Sequence, residues 1–294
     1  FTVARRYIIY RSERSKEREK QKEKISQKAE LGKLKIRKKD GVNVLFNPQK
    51  IRKTVSRACE KYPDTTSVDS IVKELTRNIF DGATTQDLER AFILASTAFI
   101  ERDPDYSKVS AALFLQRLYK EGMEISITED SLEGQYRESF IDGIRLGVKK
   151  GYLSDKLLEF DLEKLSNSIE IERDGLFEFI GIQTLYERYL LNHEGRKFEL
   201  PQSFWMRVAM GISINEKNKD SRALEFYNKL SSMEFVSSTP TLFHSGTPHP
   251  QLSSCYLTTV SDDLSHIFKC VGDNAQLSKW SGGLGNDWTN IRAT

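Results

Sequence analysis

The sequence predicts a mainly α fold with an α/β start at its C-terminal end. Three observations carry this. Apolar residues recur at helical spacing, between cap and breaker residues, through most of 47–122 and 131–232. A short alternating stretch around Asp40-Gly41 has the signature of a β-hairpin. From Glu234 onward the pattern changes to strand, helix and extended segment, the order that begins an α/β domain.

The elements run in this order. Phe1 to Tyr10 is apolar enough to end a packed helix. Arg11 to Lys33 is nearly all polar, and Glu13–Lys16, Glu17–Lys20 and Glu19–Lys22 set opposite charges three apart, which suits a solvated helix. With little to bury it reads as a linker, so 1–32 is set apart from the hairpin and helices after it. Leu34 and Ile36 alternate with Lys35 and Arg37, and Val42, Val44 and Phe46 alternate with Asn43 and Leu45 on the far side of Asp40-Gly41. Asn47-Pro48 opens a helix, since Asn caps and Pro suits the first turn; Ile51, Val55 and Ala58 form its inner stripe. Pro63 to Thr66 breaks it. Val68, Ile71, Val72 and Leu75 line a second helix over about 67–80. Thr84-x-x-Asp87 resembles a capping box for a third, through Leu88, Phe92, Ala95 and Phe99. Pro104 precedes a fourth, with Ala111, Leu115 and Leu118 on one face. Residues 33–125 thus form one compact unit, a hairpin followed by four helices.

A helical domain is expected over 126–233, divided near Gly147–Gly151 and at Gly195, with a helix starting at Pro201. In 234–294, Phe235 to Pro240 reads as loop or short strand, Leu252 to Val260 as a strand and Asp262 to Lys279 as a helix. Gly282-Gly283-Leu284-Gly285 closes that helix and leads into another extended segment. The sequence opens on Phe rather than Met and the α/β unit stops at Thr294, so a longer protein is expected.

Composition narrows the classes. The 294 residues have room for about two domains, and no apolar run approaches the roughly 20 residues of a membrane span. The net charge of +3 is uneven: Arg11 to Asp40 holds 13 basic and 6 acidic residues, so the remainder is net acidic and the chain as a whole does not read as a nucleic-acid binder. Cys59, Cys255 and Cys270 are too widely spaced for a disulfide framework or a metal site, which suggests a reducing, cytoplasmic setting. Cys59 is expected in the core. His193, His244, His249 and His266 are dispersed, and Trp205, Trp280 and Trp288 read as packing residues.

Two constellations could carry chemistry. Lys33, Lys35, Arg37, Lys38, Lys39, Lys50, Arg52 and Lys53 surround a hairpin that feeds a helix N-terminus, where backbone N–H groups and lysines could neutralise a triphosphate. A solvated basic hairpin and a DNA-contacting ribbon remain alternatives. The second constellation is Ser253-Ser254-Cys255, where Cys255 is either a small buried residue or a redox thiol; the latter needs a partner thiol, expected beyond Thr294. Gly283-x-Gly285 follows a helix and lacks a third glycine, so it is a helix-ending turn more readily than a dinucleotide fingerprint.

Resemblance sharpens both. Lys35-Ile36-Arg37-Lys38-Lys39-Asp40-Gly41, Phe46-Asn47-Pro48-Gln49-Lys50-Ile51 and Thr84-Thr85-Gln86-Asp87-Leu88-Glu89 resemble an ATP-cone, the regulatory nucleotide-binding module of many ribonucleotide reductases. The resemblance implies an ATP/dATP activity site lined by Lys38, the stretch from Val44 to Lys50, Thr85 and Lys120. Two positions depart from the usual pattern, Glu89 where a His is common and Lys39 where an Arg is common. Phe1 to Arg14 is similar to the last helix of a second, upstream cone. Thr239-Pro240-Thr241-Leu242 with Ser245-Gly246, Ser253-Ser254-Cys255-Tyr256-Leu257, Asp262-Asp263-Leu264 with Ile267, and Gly282-Gly283-Leu284-Gly285-Asn286 together resemble the opening of the catalytic barrel of the class I reductase large subunit.

This second resemblance implies a ten-stranded α/β barrel that reduces ribonucleoside diphosphates by thiol-radical chemistry. Cys255 would be one thiol of the pair oxidised in each turnover, Thr239, Ser254 and Gly283 would contact substrate, and Asp262, Leu264 and Arg292 would belong to an effector specificity site for dNTP or ATP. No cofactor or metal would be bound directly. The radical would come from a metal-containing small (beta) subunit, electrons from thioredoxin or glutaredoxin, and the chain would self-associate as a dimer, without membrane or nucleic-acid partners. Because the radical cysteine is absent from these blocks, the chain alone is expected to be inactive. Alternatives from other classes are a nucleotide-sensing regulatory protein built on the cone and a basic nucleic-acid-binding module using residues 11–53.

Overall fold

The computed structural model describes residues 2–30, 33–38, 40–123, 132–280 and 282–293. Lys39 of the basic hairpin and Thr294 lie outside the described residues. The chain divides into two compact units, residues 1–118 with 177–183, and residues 119–176 with 184–294.

In the first unit, α1 (Thr2–Glu30) is one continuous helix, so the expected division near Arg11 between a packed helix end and a linker is not seen. Val3, Tyr7, Ile8, Ile9 and Tyr10 are exposed on it. Its second half is docked: Ile25 packs against the core, Lys28 pairs with Asp81 at 3.6 Å and Glu19 with Arg77 at 3.4 Å. The expected hairpin forms from β1 (Lys35–Arg37) and β2 (Asn43–Leu45), antiparallel with Ile36 opposite Val44. Gly41 takes the positive φ of +83° that the turn needs. Asn47 caps α2 (Pro48–Cys59) by accepting from the Lys50 N–H at 3.0 Å. Ser67 caps α3 (Val68–Asn78), in which Ile71 and Leu75 are buried and Val68 and Val72 pack at the margin.

A third strand, β3 (Ala83–Thr84), was not expected; it pairs parallel with β1, Ile36 opposite Ala83 and Arg37 opposite Thr84. The capping box at the start of α4 (Thr85–Thr97) is present, Thr84 Oγ1 accepting from the Asp87 N–H and the Asp87 carboxylate accepting from the Thr84 N–H. The last helix is α5 (Asp105–Met123). Sheet and helices close over one apolar core of Leu34, Ile36, Phe46, Val55, Ile71, Leu75, Phe92 and Val109, with Cys59 in it as expected. Burial raises the Cys59 thiol pKa, which suits a structural role.

The remaining helices begin with α6 (Leu132–Lys149) and α7 (Leu162–Asn167); α8 (Phe179–Thr184) straddles the division and leads into a π turn, Leu185–Tyr189. A two-stranded ribbon, β4 (Asn192–His193) and β5 (Arg196–Lys197), turns at Gly195, φ +78°. Pro201 opens α9 (Pro201–Ser213), which is buried on nearly every face and packs beside α10 (Lys219–Ser231). A helix apolar all round belongs inside a domain, so any charge on it must be paired.

Residues 235–238 are loop, as expected, and the last two residues of that stretch, Thr239-Pro240, start a short helix, α11 (Thr239–His244); Pro240 in its first turn lacks the N–H that a helix start leaves unbonded anyway. Then come β6 (Cys255–Thr259), α12 (Leu264–Lys279) and β7 (Gly283–Asp287). The two strands are parallel, with Cys255 opposite Gly283 and Leu257 opposite Gly285. The glycine cluster therefore lies mostly within a strand rather than in a helix-ending turn. Trp205 is buried; Trp280, 36% exposed, packs its ring against His249 at 4.9 Å between centroids, whereas Trp288 is 48% exposed. No helix among the described residues is long and apolar enough to cross a membrane.

Candidate functional site

The first candidate site is the basic hairpin. Lys38 sits at its turn, its N–H donating to Val42 O at 2.8 Å and its carbonyl accepting from Gly41 N–H at 3.0 Å. Parallel pairing of Arg37 with Thr84 sets the residue after each, Lys38 and Thr85, at the same end of the sheet. Val44 is half-buried on β2, and Lys50 is exposed in the first turn of α2. Lys38 and Thr85 thus share one end of the sheet and Val44 lies within β2, whereas α2 with Lys50 follows the other end of β2, where Phe46 N–H donates to Leu34 O. Lys120 falls in the second unit. The free N–H groups at these helix starts are partly taken, by Asn47 at Lys50 and by the Asp87 carboxylate at Thr84. Hydrogen bonds from the Thr84 hydroxyl and N–H lower the Asp87 pKa, so it is a fixed negative charge at the start of α4. The Asp87 carboxylate makes the α4 terminus unfavourable for an anion, while lysines supply positive charge on the hairpin and in the first turn of α2.

The second candidate site is on β6 and β7. Cys255 is an exposed free thiol. Ser254 Oγ lies 3.6 Å from its Sγ, and Gly283 N–H donates to Ser254 O at 2.7 Å. The strands approach closely at Gly283, where a Cβ would stand 3.0 Å from Ser254 O, a tight contact, and 3.7 Å from Cys255 Sγ. Helix α11 is tied to the strand that carries these residues. Thr241 Oγ1 donates to Leu252 O at 2.8 Å, and His244 Nδ1 lies 2.9 Å from Gln251 O. Gln251 Nε2 in turn donates to Ser253 O at 2.6 Å and to Tyr256 Oη at 2.8 Å. Thr239, at the exposed start of α11, is thereby fixed to the same framework as Ser254, Cys255 and Gly283. Cys270 is buried on α12, its Sγ 3.6 Å from His266 Nδ1, and is not exposed like Cys255.

Asp262 and Arg292, which the resemblance assigns together to one effector site, form an ion pair: Arg292 Nε lies 3.2 Å from Asp262 Oδ2. Leu264 beside them is 70% exposed at the start of α12, which Asp263 caps through His266 N–H. Among the described residues no group of three or more His, Cys, Asp or Glu could hold a metal ion.

Sequence reasoning missed three supporting features. One is the Arg207–Glu199 pair. Both side chains are almost fully buried, with Arg207 Nε 2.6 Å from Glu199 Oε1, and Arg207 Nη1 donates to Ser245 O, just past α11, at 2.7 Å. The signal was there, since Arg207 stands in the run Trp205-Met206-Arg207-Val208-Ala209-Met210. The second is a buried carboxylate, Asp174, which accepts from Tyr119 at 2.5 Å, Tyr136 at 3.2 Å and Gln202 at 2.7 Å. The third is Tyr189, whose hydroxyl lies 3.2 Å from Thr239 Oγ1.

Known families match this order of units. The model described as ATP cone domain matches residues 34–121, the ribonucleotide reductase all-alpha domain matches 175–250, and the ribonucleotide reductase barrel domain matches 253–294. An ATP-cone domain followed by matches to two ribonucleotide reductase domains defines the class. The chain belongs to the ribonucleotide reductase large-subunit family. Ribonucleoside-diphosphate reductase subunit alpha of Chlamydia trachomatis is 41% identical over all of this chain and 28% of its own length. The Helicobacter pylori subunit alpha is 36% identical over 72% of this chain and 26% of its own length. The large chain of Schizosaccharomyces pombe is 32% identical over 88% of this chain and 32% of its own length. The chain thus spans less than a third of the length of these relatives.

Proposed function

We propose that this chain supplies the regulatory cone and one redox thiol of a ribonucleoside-diphosphate reductase. The observation that carries the reading is the pairing of Cys255 with Gly283, Ser254 alongside, on the two strands of the barrel match. An exposed thiol beside a backbone stripped of side chain leaves room for a sugar phosphate against the strands. In this reading Thr239, Ser254 and Gly283 contact the substrate. Cys255 and a second thiol give up two electrons and two protons and become a disulfide; the electrons reduce the ribose, whose 2′-hydroxyl leaves as water with one proton while the 2′ carbon gains a hydrogen in its place. Asp262, Leu264 and Arg292 form the specificity site for dNTP or ATP; the carboxylate accepts from a ribose hydroxyl and the guanidinium suits a phosphate. The radical comes from a metal-containing small subunit and reductant from thioredoxin or glutaredoxin. The subunit works as a dimer in the cytoplasm.

The cone at 34–121 binds ATP or dATP as an activity switch, with Lys38, Val44, Lys50 and Thr85 at the nucleotide. The test is equilibrium binding of ATP and dATP to this chain beside its Lys38→Ala variant. Saturable binding, weakened at least about tenfold in the variant by loss of a charge-assisted contact, supports the switch. Absence of binding with the cone folded would refute it and direct attention to Glu89 and Asp87, acids on the first turns of α4.

A further inference from the structure

The geometry points to Tyr189 as a positioning residue for substrate binding: its hydroxyl orients the hydroxyl of Thr239 toward the substrate phosphate. This rests on the assignment of Thr239 to the substrate site and goes one residue beyond it.

Four observations support it. The Tyr189 hydroxyl is 3.2 Å from Thr239 Oγ1, and this is the one hydrogen bond of the Thr239 side chain among the described residues. The tyrosine ring is fixed, stacked on Phe243 of α11 at 4.6 Å between centroids and met edge-on by Phe204 at 6.2 Å. Tyr189 closes the π turn Leu185–Tyr189, where the Leu190 N–H reaches back to Leu185 O. A π turn adds a residue to the helical repeat and so rotates the next residues by about 100° relative to an α-helix, a distortion often found at functional positions. Here it is Tyr189 that is aimed at α11. Finally, the far end of α11 cannot drift. Arg207 Nη1 holds Ser245 O at 2.7 Å, and α9 approaches so closely at Gly211 that a Cβ there would stand 2.5 Å from the Ser245 carbonyl carbon.

The chemistry rests on what each hydroxyl can do. A threonine hydroxyl has one hydrogen to give and two lone pairs. A phenol is the stronger donor of the two, so the Tyr189 O–H is given to Thr239 Oγ1. Thr239 then keeps its own hydrogen for a phosphate oxygen. Without the phenol, the threonine rotor must be oriented at the moment of binding, and its hydrogen is no longer biased toward the anion. Tyr189 acts through Thr239, so the loss appears in substrate affinity rather than in the chemical step.

The test is a double-mutant cycle on the complete reductase with its small subunit, using Tyr189→Phe, which keeps the ring stack, and Thr239→Val. The readouts are KM and kcat for a ribonucleoside diphosphate, with Tm as a fold control. Tyr189→Phe is expected to raise KM about three- to tenfold with kcat within about twofold, the size of one hydrogen bond. Thr239→Val is expected to raise KM at least as much, and the double variant no further than Thr239→Val alone. Additive effects, or an unchanged KM in Tyr189→Phe, would overturn the role of Tyr189 while leaving Thr239 in the site. An unchanged KM in Thr239→Val would overturn the substrate assignment and this inference with it.

Discussion

Asp174 gives a perturbation whose size can be worked out in advance. Its carboxyl is fully buried and accepts from Tyr119, Gln202 and Tyr136, while Tyr227 donates to Gln202 Oε1 at 2.9 Å and accepts from Glu170 N–H at 2.9 Å. Burial and the hydrogen bonds oppose each other. Burial wins and raises the Asp174 pKa from 3.8 to about 6, even though all three donors favour the carboxylate. Burial likewise pushes the Tyr119 and Tyr136 phenols well above their ordinary range, and Tyr227 to about 12, so in this range only the carboxyl of the network titrates.

A carboxyl whose pKa is higher folded than unfolded binds its proton more tightly in the folded chain. Its contribution to stability is fully present below about pH 4 and is lost as pH rises through about 6. At about 1.4 kcal/mol per pH unit the whole effect is about 3 kcal/mol, of which about 2 kcal/mol falls between pH 4.5 and 7. Asp174→Asn removes the titration. The assay is urea unfolding followed by tryptophan fluorescence, since Trp205, Trp280 and Trp288 all lie in the second unit. The stability of the native chain minus that of Asp174→Asn should fall by about 2 kcal/mol from pH 4.5 to 7. A flat difference, or one that rises with pH as for a carboxylate stabilised in its charged form, would refute the reasoning that burial outweighs the three donors.

Two further outcomes are expected from buried contacts in the same unit. Arg207→Met strands the Glu199 carboxylate and should cost about 3–5 kcal/mol in urea unfolding, whereas adding Glu199→Leu should recover part of it; a single variant as stable as the native chain would contradict the pairing. Gly211→Ala drives a methyl into the Ser245–Gly246 backbone and should cost up to about 3 kcal/mol, read as a lower Tm; an unchanged Tm would contradict the close approach of α9 to that loop.

What the sequence made legible was what local chemistry decides. Asn47-Pro48 and Thr84-x-x-Asp87 announce helix starts because side chain and backbone satisfy each other within three residues, and both caps formed as read. Asp40-Gly41 announced the hairpin, and the stretch from Leu252 to Val260 announced a strand, but that Gly283 itself lies in the next strand, opposite Cys255, was not legible. What escaped was non-local. Strand β3 is two residues long, too short for any periodicity, and exists because β1, 47 residues away at Ile36–Ala83, offers it a free edge. The π turn at Tyr189 has no sequence pattern. Trp288 read as a packing residue by type alone, but aromatic type does not say which face a residue occupies, and it is 48% exposed. The Arg207–Glu199 pair joins residues eight apart, and Arg207 is buried because α9 is enclosed on nearly every side, a property of the helix rather than of the residue.

The most direct test of the central claim is the turnover of Cys255→Ser in the complete large subunit, reconstituted with its small subunit and a dithiol reductant. The variant keeps the size of the side chain and removes the thiol, and ATP or dATP binding at the cone serves as its fold control. Loss of catalytic turnover of ribonucleoside diphosphate to background, with effector binding intact, is the result predicted for a cysteine that cycles between thiol and disulfide beside Gly283. Turnover at the native rate would contradict it and return Cys255 to the status of an exposed structural residue.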